Sequence, residues 1–220
     1  ISHFFLSLWC LCFDPLVVRA YLGLTALHVA AACGFNGVVR VLLENFANPD
    51  AQTILGWTPL HDAAFEGHAG VVKQLIDGKA EINAENDEGD TPLHEAVRAE
   101  HTNVVEVLVK HGASLLHVND RGDTALHAAV VVGDLEVVRM LLKHGALPQA
   151  RNQLRLSPMD LASETGPEVL KLVEEFVVAP EPTQPKEQPK TLSPLKIKPP
   201  GATRPPDKTK LSTTTTLAQT

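Results

Sequence analysis

The chain of 220 residues is 44% apolar, but only 5% of its residues are aromatic, a profile that suits thin layers of Ala, Val and Leu helices better than one thick core. The formal net charge of −7 is unevenly spread, because residues 179–220 carry seven basic and three acidic side chains, which leaves −11 on the rest. This acidic body argues against binding to a phosphate backbone, and we expect no nucleic-acid partner.

Three cysteines, Cys10, Cys12 and Cys33, are too few for a disulfide framework or a four-ligand zinc site. We interpret them as reduced thiols of an intracellular protein, in the cytoplasm or the nucleus. The chain also lacks an H-x-x-x-H pair, a glycine-rich phosphate loop and a G-x-S-x-G elbow. We therefore expect no metal, no other cofactor and no catalytic residue.

Residues 1–20 do not share the pattern of the following chain. They begin at Ile1 without a methionine, which indicates a fragment, and they contain an apolar run over residues 4–13. That run is far shorter than the ~20 residues of a membrane helix, and no basic region precedes it as in a signal peptide. Two interpretations stay open, the imperfect end of a fragment and a helix that caps the next segment. We expect no contact with a membrane.

From residue 21 onward one motif returns every 33 residues. It reads Gly-Leu-Thr-Ala-Leu-His at 23–28, Gly-Trp-Thr-Pro-Leu-His at 56–61, Gly-Asp-Thr-Pro-Leu-His at 89–94 and Gly-Asp-Thr-Ala-Leu-His at 122–127, with a worn fifth copy, Ser-Pro-Met-Asp, at 157–160. No insertion or deletion disturbs the spacing of its lead residues, Thr25, Thr58, Thr91, Thr124 and Ser157. A period this strict predicts a stack of similar supersecondary units.

Each unit predicts two short helices. Threonine supplies an N-cap oxygen, proline suits the first helical position, and the second copy predicts a first helix over residues 60–66. The pattern predicts that this helix ends at a left-handed glycine in four copies and at Glu100 in the third; the glycines are Gly34, Gly67, Gly133 and Gly166. A second helix is predicted where Val-Val and Leu-Leu pairs recur four residues apart.

The ends of the second helices differ between the copies. Gly112 and Gly145 favour a left-handed end, whereas Phe46 and Lys79 occupy that position in the first two copies. This difference predicts a softer N-terminal half. In the fifth copy the second helix carries Glu174 and the adjacent Glu175 where inner copies are apolar, which predicts a C-terminal cap.

With a T-P-L-H signature at this period, residues 21–176 resemble the ankyrin repeat family. The resemblance implies an all-α solenoid of helix-turn-helix units joined by outward-projecting β-hairpins, with four full repeats and a capping repeat. It also implies that the signature histidines form hydrogen bonds between adjacent turns; these are His28, His61, His94 and His127. Such arrays bind proteins through the hairpin tips and the concave face of the first helices.

Residues 177–220 are a predicted disordered tail or linker. Nine prolines lie between residues 180 and 206, interleaved with Lys, Thr and Gln, so the segment cannot bury enough apolar surface to order itself. Ser193, followed by proline, matches a proline-directed kinase site, and we predict its phosphorylation.

Projecting the repeat onto the concave face predicts a partner groove. Phe65, Val131 and Val132 are expected to be exposed there, with Arg98 at the centre and two acids, Asp62 and Glu95, beside it. Trp57, together with Ile54 and Leu55 at the same hairpin, adds an aromatic anchor. The competing interpretations are ordinary surface variation and packing of the tail against this face.

Asn83 lies in a context that resembles the ankyrin sites modified by the asparaginyl hydroxylase of oxygen sensing. Leu75 and the stretch Glu81-Ile82-Asn83 carry this resemblance, and the other copies lack the asparagine. The competing interpretation is that Asn83 only satisfies hairpin backbone groups.

The sequence predicts a non-enzymatic scaffold or adaptor, monomeric, that binds a protein partner. Two alternatives stay open. The chain could be the targeting segment of a larger enzyme such as a ubiquitin ligase or a kinase, or it could belong to a nuclear co-regulator, which the Lys-Pro tail favours.

Overall fold

A computed structural model describes residues 23–178 of the chain. Within this range the backbone forms ten α-helices in five consecutive pairs and no β-strand. The first helices of the pairs are α1 (Ala26–Ala32), α3 (Pro59–Phe65), α5 (Pro92–Arg98), α7 (Ala125–Val132) and α9 (Pro158–Thr165). The second helices are α2 (Asn36–Glu44), α4 (Ala69–Asp77), α6 (Thr102–Lys110), α8 (Leu135–Lys143) and α10 (Pro167–Val178).

The helices form two layers. Each first helix packs against the first helix of the next pair, and each second helix packs against the next second helix. The apolar core between the layers repeats with the motif, because the same leucine position is at most 1% exposed in four copies, at Leu27, Leu60, Leu93 and Leu126. None of these helices exceeds twelve residues, so their stability comes from stacking rather than from each helix alone. The predicted all-α solenoid is confirmed.

The first helices begin as the motif predicts. Thr25, Thr58, Thr91 and Thr124 have extended backbone at the N-cap, and each forms a capping box with the histidine three residues later. Pro59 and Pro92 stand at the first helical position, where a missing N–H costs nothing. The first helix of the second copy spans residues 59–65, one residue earlier than predicted.

The ends of these helices mostly confirm the left-handed prediction. Gly34, Gly67 and Gly133 have φ angles of 71°, 81° and 83°, and Glu100 adopts a φ of 61°. Gly166 is the exception, because its φ of 161° is extended backbone. The prediction for Gly166 is wrong because α10 begins at Pro167, and the residue before a proline is pushed towards extended conformations.

The connections between repeats are tight turns without the strands of a β-hairpin. The amide of Asn86 donates to the carbonyl of Asp90 at 3.0 Å, and the Asn86 Oδ1 atom accepts from the amides of Glu88 and Asp90 at 2.9 and 3.0 Å. Asn119 closes the next turn in the same way. Because the asparagine side chain satisfies the amides of the turn, a strand ladder is not needed.

The two ends of the described array differ. Val38 on α2 is 48% exposed, although its equivalents Val71, Val104 and Val137 are fully buried between neighbouring second helices. At the other end, Glu174 and Glu175 are exposed on α10, which agrees with a capping repeat. The expectations for residues 1–20 and for the tail, including Ser193, lie outside the described residues, except that α10 reaches Val178.

Candidate functional site

The four signature histidines link each repeat to the next. In each, Nδ1 accepts a hydrogen bond from the backbone amide of the preceding threonine, as in His61 with the Thr58 amide at 3.2 Å. An atom that accepts from an N–H carries no proton, so the imidazole proton lies on Nε2. That atom donates to a carbonyl 29 residues further along the chain, and for His61 this is Asp90 at 3.0 Å. The predicted hydrogen bonds between adjacent turns are confirmed.

Burial keeps the rings of His28, His61 and His94 neutral. Loss of solvation lowers the pKa of both His61 and His94 to about 4, although the neighbouring Asp90 opposes the shift. Neutral rings at physiological pH preserve the acceptor at Nδ1 and the donor at Nε2. In the fifth copy Asp160 takes the capping role, since its Oδ2 accepts from the Ser157 amide at 2.9 Å. The four signature histidines and Asp160 therefore have a structural role in the stack of repeats.

A polar network occupies the third repeat and is called here the third-repeat network. Arg98 pairs with Asp90 and, at 3.0 Å, with Glu95 Oε1, and the Asn86 side chain donates to the same Oε1 at 3.1 Å. Burial raises the pKa of Glu95 to about 7, while Arg98 acts in the opposite direction. One guanidinium thus serves two buried acids.

A second kind of link runs between turns as side-chain rungs. Asn119 Nδ2 donates to Asp90 Oδ1 at 2.7 Å, and Asn152 Nδ2 donates to Asp123 Oδ1 at 2.8 Å. One repeat earlier the aspartate position holds Trp57. Asn86, the residue equivalent to Asn119 and Asn152, donates to Glu95 instead. The Asp–Asn rung is therefore missing between the second and third repeats.

The same region of the second repeat contains Trp57, Asp62 and Phe65, called here the second-repeat corner. The Trp57 and Phe65 rings meet edge-on with centroids 5.8 Å apart, and Trp57 also lies 5.8 Å from the His61 ring. Asp62 is 7% exposed, and its Oδ2 atom has no hydrogen-bond partner within the described repeats. Burial, together with the nearby Glu66, raises the pKa of Asp62 to about 8.

The structure places the predicted groove residues at different depths. Val131 is 62% exposed, whereas Phe65 and Val132 are half-buried. Asp62 and Glu95 are buried, although the repeat projection placed both acids on the surface beside Arg98. That expectation is wrong because the first helices pack closely enough to cover a side chain in the first turn.

Sequence reasoning singled out Ile54 and Leu55 at one turn but missed the exposed Leu154. Leu154 is 76% exposed at a turn tip. Ile54 and Leu55 lie at the equivalent tip three repeats earlier and are 57% and 48% exposed. The signal was present as apolar residues in turns that hold Asp, Glu, Gln or Arg in the other copies.

Asn83 is half-buried, and its Oδ1 accepts from the amide of Ser114 in the next repeat at 2.8 Å. Its side chain therefore satisfies a backbone group, as the competing interpretation requires, and hydroxylation stays a prediction. Residues 23–178 contain no cluster of three or more His, Cys, Asp or Glu side chains that could bind a metal ion. None of their helices combines the length and hydrophobicity needed to cross a membrane.

Comparison with protein families agrees with this geometry. A family model described as "Ankyrin repeats (3 copies)" matches residues 6–86 and again residues 68–152. The first match begins inside the apolar segment 1–20. Comparison with curated proteins finds no match. On the strength of the family match and the repeated capping boxes, the chain belongs to the ankyrin repeat family.

Proposed function

We propose that the chain is a non-enzymatic scaffold or adaptor that binds a protein partner through the first-helix face and the turn tips. Ankyrin repeats are in general protein–protein interaction modules, and this supports the coarse assignment. We further propose that the chain is monomeric and intracellular.

The observation that carries the proposal is the apolar surface that stacking leaves uncovered. Leu154, Ile54 and Leu55 are exposed at turn tips, and Val131 is exposed on a first helix. The core of buried Ala, Val and Leu is complete without them. Exposed apolar side chains beside charged ones are typical of protein interaction surfaces.

The test is quantitative capture of proteins from cell extract by the full chain and by three variants. The face variant combines Val131→Ser with Phe65→Ala, and the tip variant combines Ile54→Ser with Leu55→Ser. The control, Val41→Ser, removes a similarly exposed apolar side chain, 53% exposed, from the second-helix layer.

We expect the face or the tip variant to lose specific proteins that the control retains. Circular dichroism spectra must show that all the variants are folded. Retention of the same proteins by both the face and the tip variants would reject these surfaces as the binding site.

A further inference from the structure

The second and third repeats can be compared position by position, because they are offset by 33 residues without a gap. Asp62 is equivalent to Glu95, and both are buried acids at the same place on a first helix. Glu95 receives hydrogen bonds from Arg98 and Asn86. The equivalent positions in the second repeat hold Phe65 and Thr53 instead. The second repeat therefore keeps the acid but lacks both donors that satisfy it in the third.

This leaves an acceptor that the array does not use. Asp62 is 7% exposed, and its Oδ2 atom has no hydrogen-bond partner among residues 23–178. A buried polar group without a partner is costly, and few native structures contain many of them. An external donor placed at Asp62 would remove that cost.

We propose that the second-repeat corner binds an arginine side chain of the protein partner, whose guanidinium pairs with the Asp62 carboxylate as Arg98 pairs with Glu95 one repeat later. The proposal rests on the proposed function, since it names the partner chemistry recognised at the first-helix face. The partner protein, and not this chain, thus supplies the basic side chain that pairs with Asp62.

The surroundings favour a guanidinium over an ammonium. Trp57 and Phe65 form an edge-on aromatic pair on the same repeat, and a guanidinium packs against aromatic rings while it donates to a carboxylate. It is also more weakly hydrated than an ammonium, so it enters a buried site at lower cost. The exposed Glu66 lies one turn beyond Asp62, directly after the end of α3, and adds negative charge that attracts a cation.

The titratable and charged groups on the helices around α3 can all be named. On α3 itself these are His61, and Glu66 directly after the helix; the neighbouring helices carry His28 (α1), Lys73 and Asp77 (α4), and His94, Glu95 and Arg98 (α5). Of these groups, Glu66 acts on the pKa of Asp62, and burial acts more strongly. Arg98 already bonds to two acids of its own repeat.

The first experiment titrates the full chain with N-acetyl-arginine methylamide and follows the Asp62 carboxyl carbon by NMR. The citrulline analogue, which has the same shape without the charge, is the control. Because the pKa of Asp62 is about 8, about one carboxyl in ten is ionised at pH 7. Affinity for the arginine probe should therefore rise about tenfold between pH 7 and pH 9. Binding should also lower the Asp62 pKa.

Two variants make the test specific. Asp62→Asn should reduce arginine binding at pH 9 at least tenfold, whereas Asp77→Asn, the same change at an exposed position, should leave it unchanged. Phe65→Arg places a guanidinium where the third repeat has Arg98, so it should lower the Asp62 pKa and block the probe.

A second control probe, N-acetyl-lysine methylamide, carries the same charge on an ammonium. The proposal is overturned if the arginine probe leaves the Asp62 signal unmoved, or if the citrulline or the lysine probe binds equally well. Its failure is distinguishable from failure of the proposed function. If the probe does not bind but the face variant loses captured proteins, only the arginine site is wrong. If capture depends on neither the face nor the tips, the proposed function itself is wrong.

Discussion

Replacement of Asp62 by leucine should make the protein more stable, because the folded chain buries this carboxyl and leaves its Oδ2 atom without a hydrogen-bond partner among residues 23–178. The pKa of Asp62 is about 8 in the folded chain against an ordinary value of 3.8. In the sign convention of proton linkage, a raised folded pKa means that folding takes up a proton. Stability therefore falls as pH rises from about 4 to 8 and is constant above that range.

The size of this cost follows from the two pKa values. Between pH 3.8 and pH 7 the unfolded carboxyl is ionised while the folded one stays mostly protonated, and each pH unit costs about 1.4 kcal/mol. The Asp62 carboxyl thus lowers the stability by about 4 kcal/mol at pH 7. Asp62→Leu removes the whole cost, and a leucine already stands at the equivalent Leu161. Asp62→Asn gains less, because a buried amide without a partner itself costs about 1–3 kcal/mol.

The assay is urea unfolding of the full chain and both variants at pH 4, 7 and 8, with midpoints and slopes compared at each pH. The gain for Asp62→Leu should be small at pH 4, about 4 kcal/mol at pH 7 and larger still at pH 8. The matched control, Asp77→Leu, alters an exposed acid and should show no such trend. The reasoning is refuted if Asp62→Leu destabilises the chain at pH 7, or if its gain is the same at all three pH values.

Three further predictions concern the stack. His61→Ala leaves the Thr58 amide and the Asp90 carbonyl without their partner. The free energy of unfolding, measured with urea, should therefore fall by about 2–4 kcal/mol, and a fall below about 1 kcal/mol would contradict the structural role of His61. Phe46 has a left-handed backbone and is 95% exposed, so Phe46→Gly should raise the free energy of unfolding by about 1 kcal/mol. Gly112→Ala should lower it by a similar amount, and changes of the opposite sign would contradict this reasoning. Amide exchange should be faster in α2, where Val39 is the buried residue, than in α6, which buries four; equal protection would contradict the softer N-terminal half.

The helix positions could be predicted from the sequence because the signals are local. A threonine N-cap, a proline at the first helical position and a left-handed glycine each act within one turn of chain. The prediction failed at Gly166, where the following proline dominates, and at the connections, where Asn86 and Asn119 close the turns without strands. The first failure comes from Pro167, which only the fifth copy has after the glycine. The second comes from side-chain bonds of a recurring asparagine, which satisfy the turn amides in place of a strand ladder.

The candidate site was harder to predict because depth within a layer depends on the packing of adjacent repeats. The sequence places Asp62, Glu95 and Arg98 on one face but cannot show that the two acids are buried. The alignment of the repeats shows that Phe65 stands at the position of Arg98. Only the structure shows that Arg98 bonds to Glu95, and hence which partner the second repeat lacks.

The missing Asp–Asn rung between the second and third repeats has a consequence for how the array responds to force. When a stack of repeats is pulled from its two ends, every joint between repeats bears the same force. The first joint to open is then the one with the fewest cross-links. The joints beyond Asp90 and Asp123 carry both a histidine bond and a rung, whereas the joint after Trp57 keeps the His61 bond without the rung. The joint between the first and second repeats also lacks a rung, because Leu24 and Thr53 occupy the two positions. A pulling experiment on the array should therefore open one of the two joints among the first three repeats before the joints beyond Asp90 and Asp123.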